Sequence, residues 1–228
     1  MAAYARPMLL AEDLLLLLTD DETGKLVVSG SEVDVALGGA QLLDLSLTGH
    51  VGVEDKRLVV LDSSGTGDEL LDQALETVRG RAGKKPSSVV SPLGEKLRGR
   101  LYERLAASGV LRAEHGKVLG LFPTTKWPTS SADHEAAVRR ALTSALVQGT
   151  TPEPREGALV ALLHAVRSTH KVVDPDEHGV RRRDLDRRAK EIAEGDWASR
   201  AVREAIDAML AMVTMMATTA ALGVAGSS

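Results

Sequence analysis

The chain contains no cysteine. Disulfides, thiol catalysis and cysteine-ligated zinc are therefore excluded, and a reducing, cytoplasmic setting fits. Aromatic residues are almost as scarce, with two Trp, two Tyr and one Phe among 228 residues. A core with so few rings has to be aliphatic, and its Leu and Ala favour helices. Excess positive charge is missing too: the formal net charge is −4. That balance argues against a general affinity for nucleic acid or anionic lipid, while leaving room for a local basic patch. The N-terminal run "MAAYARPMLLAEDLLLLL" lacks a signal-peptide layout, because Glu12 and Asp13 interrupt it.

What is present suits a folded soluble protein. Hydrophobic residues make up 43% and charged residues 26%, and the length allows one sizeable core. After Asp207 no charge occurs, and "AMLAMVTMMATTAALGVAGSS" is long enough to raise a membrane span. Its Thr and Ala content and the lack of a basic flank favour a buried central helix instead.

Periodicity and caps lay out an α-rich chain. "LLAEDLLLLL" reads as a helix closed by the turn "DDETG", and "KLVVS" as a short strand. "SEVDVALGGAQLLDLSLTG" is a second helix with Ser31 as its cap. "HVGVE" and "RLVVLD" flank Asp55–Lys56 as a hairpin. Asp68 caps a third helix. A fourth, in "PSSVVSPLGEKLRGRLYERLAASG", puts Leu93, Leu97, Leu101 and Leu105 in one row, with Lys96, Arg100 and Arg104 as a stripe beside it. "VLRAE" and "KVLGLF" flank His115–Gly116 as a second hairpin. Three further helices are expected, in "SADHEAAVRRALTSALVQG" (Ser131 or Asp133 as cap), "PEPREGALVALLHAVRSTH" and "RRRDLDRRAKEIAEG", followed by one beginning at "WASRAV".

Catalytic constellations are not visible. "SSGTGD" lacks the lysine of a phosphate loop, no G-x-S-x-G occurs, and no histidine pair has metal spacing. His164 reads as a hydrogen-bonded core residue. "DDE" at 20–22 and "DPDE" at 174–177 read as solvated turns rather than cation cradles. No catalytic residue, metal ligand or cofactor is assigned. "RRRDLDRRAK" reads as a solvated helix face with internal ion pairs. A basic helix followed by a hairpin is also how a winged-helix nucleic-acid binder is written. Here the wing tip would hold only His115 and Lys117, and the return strand is apolar.

The segments "AEDLLLLLTDDETG", "ALGGAQLLDLSLTGHV", "GTGDELLDQAL", "RLAASGVL" and "LGLFPTTKWP" occur in this order. Together they resemble the Golgi phosphoprotein 3 family, its bacterial members included, over about residues 8–215. The resemblance implies a mainly α, single globular domain across 1–228: a central apolar helix bundle ringed by amphipathic helices, with small β-hairpins. It also implies a non-enzymatic protein, peripheral at the cytoplasmic surface of a membrane. Eukaryotic relatives recognise phosphatidylinositol 4-phosphate, insert an apolar hairpin into the bilayer, and hold glycosyltransferases by their cytoplasmic tails.

Carried over position by position, the headgroup pattern is incomplete. Where the eukaryotic pattern has a Trp and three basic residues, this sequence has Ser29, Gly38, Glu95 and Arg98, so only Arg98 matches. Glu95 and Arg98, three apart, are expected to pair. The resemblance then implies a less selective anionic-lipid site of Arg98 with Lys96 or Arg100, and a membrane hairpin of Val118, Leu119, Leu121, Phe122 and Trp127. The partner is an anionic membrane lipid, and no nucleic acid is expected. The alternative is a soluble adaptor that uses the same hairpin for a client or for self-association.

Overall fold

The structure is a computed structural model and describes residues 7–21, 23–112, 114–118, 122–127 and 132–195, with 203 and 207. Helix α1 spans Leu10–Leu17, and α2 spans Gly30–Leu47. Strands β1 (Val51–Glu54) and β2 (Arg57–Val60) follow, then α3 (Glu69–Arg79), α4 (Ser87–Gly94) and α5 (Leu97–Ala107). Strands β3 (Glu114–Val118) and β4 (Phe122–Lys126) precede α6 (Ala132–Val147), α7 (Pro154–Ala165), α8 (Thr169–Val172) and α9 (Arg182–Ala193). For β3 and β4 the backbone pairing alone is described.

The expected mainly α domain is observed. Every residue of α1 is buried, the acids Glu12 and Asp13 included. It packs against α2 and α7, whose middle, Gly157–Leu163, is also buried. The amphipathic helices lie around this centre. On α3, Leu70, Leu71, Ala74, Leu75 and Val78 face inward while Asp68 caps the first turn, accepting the N–H groups of Leu70 and Leu71. On α9, Leu185, Ala189 and Ile192 face inward, and the basic residues form the expected ion-paired face, with Arg181–Asp184 at 2.6 Å and Arg187–Asp184 at 3.1 Å.

Helices α2 and α4 cross at glycine. A Cβ on Gly38 would run into the carbonyl of Val90, and one on Gly94 into the carbonyl of Asp34. Two backbones this close leave no room for any side chain at either position.

Several expected elements are corrected. Residues 25–29 form no strand: a single bridge joins Thr19 to Leu26, and Val27 N–H donates to Leu18 C=O. Ser29, not Ser31, caps α2, in a reciprocal box with Glu32. Asp133 lies in the first turn of α6 rather than at its cap, and Ser131 falls outside the described residues. The fourth helix is two. Pro92 removes a donor near the end of α4, and Lys96 takes a left-handed conformation (φ 58°) before α5 starts. His164 and His170 sit on separate helices, because α7 stops at Ala165 and Arg167 also turns left-handed.

The first hairpin is as expected, with Val51 opposite Val60, Glu54 opposite Arg57, and both turn residues, Asp55 and Lys56, at positive φ. The second is shifted. His115 and Gly116 are mid-strand, opposite Thr125 and Thr124, and Val118 pairs with Phe122. Its turn is therefore not at His115–Gly116, and the winged-helix reading loses its wing tip. The Thr124–Thr125 pair favours extended backbone, which carries the return strand past the apolar run. Residues 119–121 and the apolar C-terminal segment fall outside the described residues.

Candidate functional site

The cleft that the headgroup positions point to lies where the N-terminus of α2 meets the α4–α5 break. Its volume is about 460 Å³, and Ser31, Asp34, Val35, Ser91, Gly94 and Glu95 are among its lining residues. Arg98 borders it through Asp34, with Nε 3.4 Å from Oδ1, and is one-third exposed. The guanidinium rests on Gly30, where an added Cβ would lie 2.6 Å from Nη1. Glycine at this point lets the first turn of α2 lie flat under the cation. Ser29 is occupied by its cap: its hydroxyl and N–H donate to Glu32 at 2.6 and 3.1 Å.

Charges around the cleft are in acidic excess. Asp34 and Glu95 line it and Glu32 stands one turn from its mouth, against the single guanidinium of Arg98. The three expected headgroup cations are not gathered. Lys96, 86% exposed, lies 4.0 Å from Glu95, and Arg100 is exposed one turn further on. Two residues along a helix rotate a side chain by about 200°, so Arg100 leaves α5 on the side away from Arg98, while Lys96 stands outside the helix at the left-handed break. The expected Glu95–Arg98 pair is replaced by Arg98–Asp34. Arg104, expected in the same stripe, points inward to Glu12 and Asp68.

One turn beyond Arg98, Tyr102 takes the base of the second hairpin. The Trp127 ring stacks on it, centroids 5.0 Å apart and planes 3° from parallel. The Tyr102 hydroxyl meets the Thr19 hydroxyl at 3.0 Å, and burial pushes its ionisation upward. Trp127 is thus half-buried against α5, an anchor for the strand that precedes it.

A second constellation escaped the sequence reading. Glu12, Asp13 and Asp44 are 0%, 2% and 5% exposed. Glu12 accepts the Leu9 N–H at 2.8 Å and faces Arg104 Nε at 3.2 Å. Asp13 is held between Arg155 (2.6 Å) and His134 (2.7 Å). Asp44 accepts the Leu10 N–H at 2.9 Å, with Arg155 at 3.7 Å. Burial pushes the Asp44 carboxyl up to about 7, against the pull of Arg155 and the Leu10 N–H. Asp68 goes the other way: partial burial raises it, but Arg104 and the α3 N–H groups hold it below the usual range. The network ties α1 to α2, α5, α6 and α7. Its signal was available, since two acids inside an otherwise unbroken Leu run require buried partners.

The Golgi phosphoprotein 3 (GPP34) family model matches residues 10–209. The chain belongs to the Golgi phosphoprotein 3 family. A vacuolar protein sorting-associated protein 74 of Eremothecium gossypii is 30% identical over 165 residues, covering 60% of this chain and 49% of that protein. The chain thus spans about half the length of this curated relative.

Within this Golgi phosphoprotein 3 fold, the position of Gly38 is closed. It faces the α4 backbone, so a long cation could not stand there without moving α4. Among the described residues no helix is long and apolar enough to cross a membrane, and no three His, Asp or Glu are grouped to hold a metal ion.

Proposed function

We propose that the chain is a non-enzymatic, peripheral membrane protein of the cytoplasmic face. Arg98 contacts anionic lipid headgroups, and the β3–β4 hairpin touches the bilayer through Val118, Leu119, Leu121 and Phe122. What supports the reading, beyond family membership, is one juxtaposition on α5. The cation that borders the cleft and the ring that seats the hairpin are a single turn apart. A headgroup held at Arg98 would leave the hairpin beside the same patch of bilayer. With Asp34 and Glu95 beside that cation, binding is modest, weakly selective between phosphatidylinositol 4-phosphate and other anionic lipids, and salt-sensitive. No catalytic step is assigned.

Vesicle sedimentation tests this. Arg98→Ala should weaken binding to phosphatidylserine and phosphatidylinositol 4-phosphate vesicles alike. Leu121→Asp with Phe122→Asp should weaken both with the circular dichroism unchanged, since charges are costly in hydrocarbon. Tight, salt-resistant selection of phosphatidylinositol 4-phosphate would refute the weak-site reading. Loss of a dimer rather than of vesicle binding in the double variant would turn it to the adaptor alternative.

A further inference from the structure

Away from the cleft, the chain concentrates cations at one edge. The loop between α3 and α4 reads "GRAGKKP" and contains no acid. The structure lays this loop along β2. Leu58 N–H donates to the Lys84 carbonyl and Gly83 N–H to the Leu58 carbonyl, both at 2.8 Å. Arg57 Nη1 adds a bond to the Gly83 carbonyl at 2.7 Å. The loop and the β1–β2 turn are thereby fixed as one rigid edge. Lys56, Arg57, Lys84 and Lys85 are exposed on it, and Arg81 is half-buried.

Single cations elsewhere, such as Arg100 and Arg183, lack a carboxylate within 4.0 Å among the described residues, but this edge groups five such cations. On α9 most basic residues are neutralised by acids one turn away, and Arg98 and Arg104 have carboxylate partners. Among the described residues, no carboxylate lies within 4.0 Å of Lys56, Arg57, Arg81, Lys84 or Lys85. Nearby acids are Glu54 and Asp55 in the hairpin and Glu76, which is paired with Arg79 at 2.6 Å. The edge thus carries a local positive excess in a chain of net charge −4. The N-terminus of α4 begins beside it and adds positive partial charge.

We propose that this edge is a second, purely electrostatic contact with an anionic bilayer surface, made by Lys56, Arg57, Arg81, Lys84 and Lys85. The inference rests on the peripheral-membrane reading above and adds residues which that reading leaves out. A bilayer suits the edge better than a discrete ligand. None of the described clefts is lined by these residues, and three of the five are Lys, a point charge on a flexible stem rather than a planar fork. The edge also lies one short helix away from the Arg98 cleft. Helix α4 begins just after the cationic loop and ends in the cleft lining, and eight helical residues extend about 12 Å.

The test uses the full chain and phosphatidylcholine vesicles with or without phosphatidylserine. Lys56→Gln, Lys84→Gln and Lys85→Gln are combined, since these side chains are exposed and their loss leaves the fold in place, as a thermal melt would verify. Each cation near an anionic surface strengthens binding about fivefold, so the triple variant should lose about a hundredfold in affinity for the phosphatidylserine vesicles. Its residual binding should also depend less steeply on salt. If the triple variant binds like the parent while Arg98→Ala does not, this inference is wrong and the Arg98 reading stands. If the triple variant loses binding and Arg98→Ala keeps it, the reverse holds. A parent chain that ignores phosphatidylserine overturns both. Polyglutamate binding lost in the triple variant, with vesicle binding intact, would make the edge a dock for acidic protein segments and refute the bilayer assignment.

Discussion

Asp44→Asn should stabilise the protein at mildly alkaline pH and have little effect at acid pH. In the folded chain, burial holds the Asp44 carboxyl at about 7, against an ordinary 3.8, with repulsion from Asp13 and Glu12 adding to the burial. In the unfolded chain the proton leaves near the ordinary value. Between about pH 4 and about pH 7 the folded state keeps a proton that the unfolded state has lost. Stability from this group therefore falls as pH rises through that window and is level above it. The displacement to about 7 corresponds to about 4 kcal/mol. Asparagine retains a carbonyl to accept the Leu10 N–H, and the attraction to Arg155 is already contained in that displacement, since it pulls against the burial. The expected gain is thus up to about 4 kcal/mol above pH 7.5 or so, shrinking as pH falls through the window and vanishing near pH 4. Urea unfolding of both chains across this range, plotted as the variant-minus-parent difference, cancels groups that titrate alike in each. A difference independent of pH, or one that grows more destabilising as pH rises, would show that Asp44 is ionised at no cost and would refute the argument.

Arg155→Ala strips the cation from both Asp13 and Asp44 and should cost about 3–5 kcal/mol, read as a lowered urea midpoint. Gly38→Ala forces α2 and α4 apart at the Val90 carbonyl and should cost about 3 kcal/mol in thermal unfolding; a neutral result would mean that the crossing can slide. Lys96→Gly relieves a left-handed residue at the α4–α5 break and should stabilise by up to about 1 kcal/mol, whereas destabilisation would give the lysine side chain a structural contact.

The elements that short-range physics controls were legible in the sequence. Asp68 stands before a helix and caps it, Asp55–Lys56 joins two strands at positive φ, and the all-apolar middle of α7 is buried. Family membership was legible as well, because ordered short motifs survive in the chain. Elements that depend on a distant neighbour were not. Leu93, Leu97, Leu101 and Leu105 repeat every four residues and are all buried, yet that spacing does not report that Pro92 and Lys96 break the helix between them.

The candidate site divides along the same line. The sequence by itself determined which cations exist and that Arg98 alone matches the family pattern. Only the tertiary structure decided what each cation faces: Arg98 meets Asp34, Arg104 turns inward to Glu12 and Asp68, and the loop before α4 is pinned along β2 with its lysines unpaired. Charge interactions act through space at a few ångströms. Those partners lie tens of residues apart along the chain, so no local pattern specifies them.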